Sequence, residues 1–259
     1  MPVQITATIY GHPWDLWGLS KLFDGSDANH TLVNAPKPQG RPTFDTNDSA
    51  QVQRFRVYGY DLPAPLTSDD LRWDGGVADI DLRDFTPVAE TLVARINGIA
   101  ILLDPKYAPI KLHSLSFSEG TSAGNLLRTD WIPNKDETRL GAQREHLSFA
   151  QGSLPLAVGN PAVKVVLAAA ALPRTWASLY LIYEVIAESV GGQHALDNLG
   201  FVTKKDLSDF RHAANNSRSL DEGMRHSKTP QPGNLIPLDK AYFIINTLAI
   251  RWMQSLITP

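Results

Sequence analysis

The sequence contains no cysteine, which excludes disulfides, thiolate metal sites and a cysteine nucleophile at once. That composition fits a chain kept in a reducing compartment, and a cytoplasmic location is expected. The opening stretch, MPVQITATIY, lacks a basic start followed by an apolar run, so no signal peptide is expected. Long uninterrupted apolar runs are also missing. The most apolar stretches, 163–172 and 178–190, are separated by Pro173 and Arg174, and the second carries Glu184 and Glu188. They read as a buried helix pair, with no membrane partner expected. There is no phosphate loop, dinucleotide fingerprint, paired-histidine zinc motif or Gly-x-Ser-x-Gly elbow. The commonest enzyme classes are thereby removed, and neither cofactor nor metal is expected.

What remains is an ordinary folding composition. The 259 residues are 43% apolar and 20% charged, enough to bury a core in one large domain or two modest ones. The formal net charge of −3 is uneven: residues 1–154 hold 14 basic and 19 acidic groups, and residues 155–259 hold 10 and 8. That asymmetry falls short of the dense basic face of a nucleic-acid binder.

Hydrophobic periodicity divides the chain in the same place. Ile5, Ala7 and Ile9 alternate with polar neighbours and predict a strand with one buried face. Residues 15–23 predict a helical turn or two, and Phe55, Val57 and Tyr58 a second strand. Prolines 63 and 65 and the Gly75-Gly76 pair mark 61–81 as a connection. Val88, Leu92, Val93, Ile96 and Ile99 recur at helical spacing, predicting the main helix from about Asp84 to Leu103. Residues 110–118 read as a further strand, with Leu112 and Leu115 on opposite faces. The Gly/Pro-containing stretch 151–161 reads as a boundary. Beyond it the period predicts helices at 161–172, 175–190, 203–216 and 238–257, with Thr175 and Thr203 as N-caps. The expected fold is α+β: a small mixed β-sheet with one main helix over 1–154, then a four-helix bundle-like domain over 155–259.

One constellation stands out. Phe210-Arg211-His212-Ala213-Ala214-Asn215-Asn216 is followed by Arg218 and by Met224-Arg225-His226. On a helix His212 and Asn215 share a face, and Arg225 and His226 lie beyond its end. The candidate catalytic residues are therefore Arg211, His212, Asn215, Arg225 and His226. Guanidinium can hold an anionic oxygen while imidazole moves a proton near neutral pH, the parts that phosphodiester cleavage needs. The alternative is structural: a histidine beside asparagine in a helix is satisfied by hydrogen bonds, and Arg-His after a helix caps its last carbonyls.

Trp176, Leu179-Tyr180, Tyr183-Glu184, Ile186, Phe210, His212, Ala214-Asn215, Arg225-His226, Pro237, Ala241 and Trp252 together resemble a helical module of uncharacterised bacterial proteins. The resemblance spans about the last 85 residues. More remotely, a helical bundle with an Arg-His turn before its final helix resembles HEPN domains. Ribonucleases of that family carry an Arg and a His separated by four to six residues, whereas seven lie between Arg218 and His226 here. The resemblance therefore implies first a binding or regulatory protein on a HEPN-like scaffold, a homodimer with an RNA or protein partner. The alternative it implies is a metal-independent ribonuclease of toxin or defence type. Two weaker candidates remain. Gly11-His12-Pro13-Trp14-Asp15 with Trp17 and Trp73 forms either a ligand surface or core cover. The acidic run Asp69, Asp70, Asp74, Asp79, Asp81 and Asp84 forms either a cation site or a solvated loop.

Overall fold

The computed structural model describes residues 2–35, 37, 62–75, 79–117, 140, 144–215 and 235–257. The chain divides into two compact units, Met1–Pro155 and Leu156–Pro259, and its class is α+β. The strand expected around Phe55 and the stretch 118–139 lie outside the described residues.

The first unit is organised around β1 (Val3–Gly11), which buries every second residue: Val3, Ile5, Ala7 and Ile9. Helix α1 (Pro13–Leu22) follows, and then the two-residue strand β2 (Leu32–Val33). Strand β3 (Leu62–Thr67) pairs with β1 in the register Ala7 opposite Leu66 and Ile9 opposite Ala64. Strand β4 (Arg72–Trp73) meets the start of β1, and β5 (Lys111–Phe117) runs along it from Ile5 to Tyr10. Every described pairing is antiparallel, so the sheet is antiparallel where the sequence reading expects a mixed one. Strand β5, although it follows a long helix, runs antiparallel to β1, so that helix makes no parallel crossover.

Two local corrections have physical causes. Residues 62–67 form a strand despite Pro63 and Pro65. The carbonyl of Pro65 accepts from Asn34 N–H at 3.0 Å, so both proline nitrogens face away from β1 and cost it no ladder bond. In β5 the pairing steps from Thr8–Ser114 to Ile9–Leu112, leaving His113 as an extra residue. This bulge shifts the parity, so Leu112 and Leu115 both lie opposite buried β1 residues instead of on opposite faces.

Helix α2 (Leu82–Leu103) is the main helix, capped by Asp81, whose side chain accepts from Arg83 N–H. The cap is therefore three residues before the expected start. By length and composition α2 could cross a membrane, but its apolar stripe, Leu92, Val93, Ile96, Ile99 and Leu102, is buried within this unit. Gly11 ends β1 where a Cβ would lie 2.6 Å from Ile110 Cγ2. Gly11→Ala is expected to cost about 1–3 kcal/mol by overpacking, read as a lower urea midpoint at unchanged slope. An unchanged midpoint would contradict this close approach.

The loop after α1 is tied to the turn beyond β3. Asp69 N–H donates to Asn29 O at 2.9 Å, and His30 Nδ1 lies 2.7 Å from Asp69 Oδ2. That hydrogen bond and the charge of Asp69 raise the His30 pKa above its ordinary value. A raised histidine pKa adds stability below its unfolded value, which disappears as pH rises through the folded one. A proton NMR titration is expected to place His30 above about 6.5, and His30→Gln to remove the fall in stability as pH rises from there through the folded value. A His30 titration below the free-histidine value would contradict the pairing.

Helix α3 (Arg144–Gly159) runs through the stretch that the sequence reading gives to a boundary, so the division after Pro155 falls inside a helix, with Phe149, Ala150, Leu154 and Ala157 buried at helical spacing. In the second unit, α4 (Pro161–Ala170) is capped by Asn160, and α5 (Trp176–Ser189) begins with a reciprocal Thr175–Ser178 capping box. Gly191 and Gly192, both at positive φ, end α5. The short α6 (Gln193–Leu199), not expected from periodicity, leads to α7 (Lys204–Ala214), whose N-cap is Thr203. Helix α8 (Leu238–Ile257) completes the unit. Helix α5 is its hub and packs against α4, α6, α7 and α8.

Candidate functional site

The geometry around Arg211 begins with aromatic packing. Helices α5 and α7 meet through Trp176, Tyr180, Tyr183 and Phe210, with the Tyr180 and Phe210 rings stacked at 5.9 Å. That contact fixes α7 in rotation and turns Arg211 toward α5 and α6. There Arg211 Nη1 donates to the Tyr183 hydroxyl and to Asp197 Oδ1, each at 3.1 Å. The Arg211 and Asp197 side chains are only 17% and 15% exposed. Burial alone would lower the Arg211 pKa, but the bonds to Tyr183 and Asp197 more than offset it and raise it. Burial likewise raises the Tyr183 hydroxyl against the opposing pull of Arg211, so it remains protonated.

The other expected site residues do not join this group. Asn215 caps α7, and its amide donates to the Arg211 carbonyl at 2.8 Å. His212 is half-buried and within electrostatic reach of Asp209, but it makes no hydrogen bond to another described residue. Arg225 and His226 lie outside the described residues. Arg211 is thus a strut joining three helices, and its neighbours along α7 serve the helix or the adjacent surface. Asp197 and Tyr183 are the partners that sequence reasoning missed, since nothing local announces a pair fourteen residues apart.

An open groove lies beside the strut. It has a volume of about 580 Å³ and runs between the α6–α7 turn and one side of α8. From α8 come Lys240, Phe243, Thr247 and Arg251, spaced as neighbours along one helical face. The phenyl of Phe243 is 70% exposed, unusual for a side chain of that size. Phe201, Val202 and Ile244 provide apolar surface, and Asp197 lines the groove while bonded to Arg211. Arg251 Nη1 donates to Phe201 O at 2.7 Å, tying α8 to the α6–α7 turn, and Lys204 Nζ donates to Asn198 Oδ1 at 2.9 Å within the opposite wall. A groove of this volume, with an apolar strip bordered by five charged side chains, can take a small ligand that is itself part apolar and part polar.

The two weaker candidates resolve into structure. Trp14 is buried, and Lys21 and Lys37 cover the Trp17 ring at 4.7 and 5.2 Å. The Asp15 carboxylate is buried and accepts from Ala108 N–H. Within the acidic run, Asp69 pairs with His30, Asp70 with Arg95, Asp74 with Arg72, and Asp81 caps α2. Among the described residues no three carboxylates or imidazoles gather at a metal-sized site.

Compared with family models, curated proteins and solved structures, the chain matches none of them. Most of the residues behind the sequence resemblance, among them Trp176, Leu179, Tyr183, Ile186, Phe210, Ala214, Ala241 and Trp252, are buried. They form a packing set within the second unit.

Proposed function

We propose that the chain is a binding or regulatory protein whose C-terminal helices, on a HEPN-like scaffold, take a ligand in the groove beside α8. The observation that carries this reading is the groove itself, with an exposed phenyl on one wall and the Arg211–Asp197–Tyr183 strut behind the other. Arg211 supports binding over cleavage, because its guanidinium is engaged by protein acceptors where a phosphate clamp needs donors facing open space.

Labelled single-stranded RNA incubated with the purified protein in chelator is the test that separates the two functions. The RNA is expected to remain intact, with no difference between the parent chain and His226→Ala. Cleavage that disappears in His226→Ala at unchanged melting temperature would overturn the proposal in favour of a ribonuclease. The resemblance extends the proposal to a homodimer, for which light scattering should give twice the chain's 28.5 kDa. A single-chain mass at high micromolar concentration would remove that part.

A further inference from the structure

We infer that the α8 groove is specific for a small amphipathic anion, a compound with a flat or compact apolar body and one acidic head. The inference rests on the binding reading above and names the ligand class. Three observations converge on it.

The first is the apolar surface. Phe243 stands 70% exposed on α8 although that helix buries Ile245, Leu248, Trp252 and Met253 on its other side. An apolar ligand body covering the phenyl and the Phe201–Val202 turn would remove that surface from water, which is favourable in proportion to the area covered.

The second is the charge. Lys204, Lys240 and Arg251 line the groove with two carboxylates, Asp197 and Asp206. Asp197 is already neutralised by Arg211, and Asp206 is engaged by the Thr203 hydroxyl. Lys240 makes neither hydrogen bond nor ion pair to another described residue: Asp209, within its electrostatic reach, is paired with Lys205, so among the described residues its ammonium touches no anion. A ligand acid supplies one.

The third is the size. Lys240 and Arg251 are eleven residues apart on α8, roughly 16 Å along its axis. A volume of about 580 Å³ over that length fits one small molecule, apolar in the middle and acidic at one end. The acid can come from a phosphate, as in a nucleotide, or from a carboxylate, as in a short fatty acid.

The test uses 1-anilinonaphthalene-8-sulfonate, an aromatic anion that fluoresces when its rings leave water. The full-length protein is expected to bind one equivalent. Phe243→Ser should weaken binding about tenfold, the loss expected for uncovering one phenyl contact. Lys240→Gln should weaken it about threefold, in a salt-dependent way, as befits an exposed charge. Both residues are exposed, so melting temperatures should stay unchanged. Leu181→Ser, at an exposed apolar position on α5, is the control and should bind as the parent does. Displacement by uridine monophosphate assigns the acid to a phosphate, and displacement by decanoate assigns it to a carboxylate.

Equal binding by the parent and Phe243→Ser, or equal loss in Leu181→Ser, overturns the site. Equal affinity for neutral N-phenyl-1-naphthylamine overturns the anion requirement. With RNA left intact in the cleavage assay, loss of the anion requirement removes only the ligand class, and loss of the site removes the groove from the binding reading. RNA cleavage dependent on His226 removes the binding reading itself.

Discussion

Asn97→Leu is expected to destabilise the protein by about 2–4 kcal/mol, the range for stranding several buried polar groups at once. Asn97 is 7% exposed on α2. Its amide nitrogen donates to Ile110 O at 3.0 Å, and its oxygen accepts from Ile110 N–H at 2.9 Å and from the Tyr107 hydroxyl at 2.7 Å. One side chain thus satisfies both backbone groups of Ile110, immediately before β5 turns along β1. Leucine has the same branched shape, though larger, and leaves the Ile110 carbonyl and the Tyr107 hydroxyl buried without their partner, so packing cannot compensate. Tyr107→Phe removes the bond to Asn97 and the longer one from Ile110 N–H at 3.3 Å, while Asn97 still holds both backbone groups of Ile110, and should cost less, about 1 kcal/mol. Burial pushes the Tyr107 phenol well above its ordinary range, so it stays a donor at any practical pH. Urea unfolding followed by circular dichroism measures both changes. A loss below about 1 kcal/mol for Asn97→Leu, well under the cost of one buried unsatisfied group, would contradict the network.

Arg211→Leu is the second large effect. The change strands the Asp197 carboxylate in a site where it is mostly covered. Breaking a fully buried pair costs about 3–5 kcal/mol, and partial solvent access here reduces the expected loss to about 2–3 kcal/mol. Arg211→Lys keeps a cation beside Asp197 and should recover part of the loss, because both hydrogen bonds leave a single nitrogen, Nη1. Removing Asp197 as well should recover much of the loss, since no uncompensated charge remains. A double-mutant cycle in urea reads this as strong coupling. Additive losses would show that Arg211 and Asp197 act independently. The pair also reaches the groove, because Asp197 lines it. Arg211→Leu should therefore weaken sulfonate binding beyond what its lower stability explains, measured well below the unfolding midpoint.

Parts of the fold were legible because their signals are local. The alternation of β1, the apolar stripe of α2, the Thr175 and Thr203 caps, and the Gly191-Gly192 stop each rest on residues within one element. Others depended on neighbours the sequence does not display. Strand β3 carries two prolines and was legible only once its pairing showed that both face away from β1. The face assignment in β5 needed the bulge at His113. Helix α3 contains Gly152, Pro155 and Gly159, which look like punctuation, although the burial of Phe149, Ala150, Leu154 and Ala157 holds it helical. The candidate site divides in the same manner. Arg211 stood out by type and company, but its role came from Tyr183 and Asp197, which approach only when α5, α6 and α7 pack. The groove residues on α8 have helical spacing in the sequence. What makes them a wall is the α6–α7 turn opposite.

Amide chemical-shift mapping with 1-anilinonaphthalene-8-sulfonate on the isotopically labelled full-length protein tests the central claim most directly. Shifts should move in saturating fashion for Asn198 to Lys204 and for Lys240 to Arg251, with Asn97 and β1 unmoved. Saturable shifts centred elsewhere, or drifting without saturation across the exposed apolar residues of several helices, would contradict the assignment of the groove.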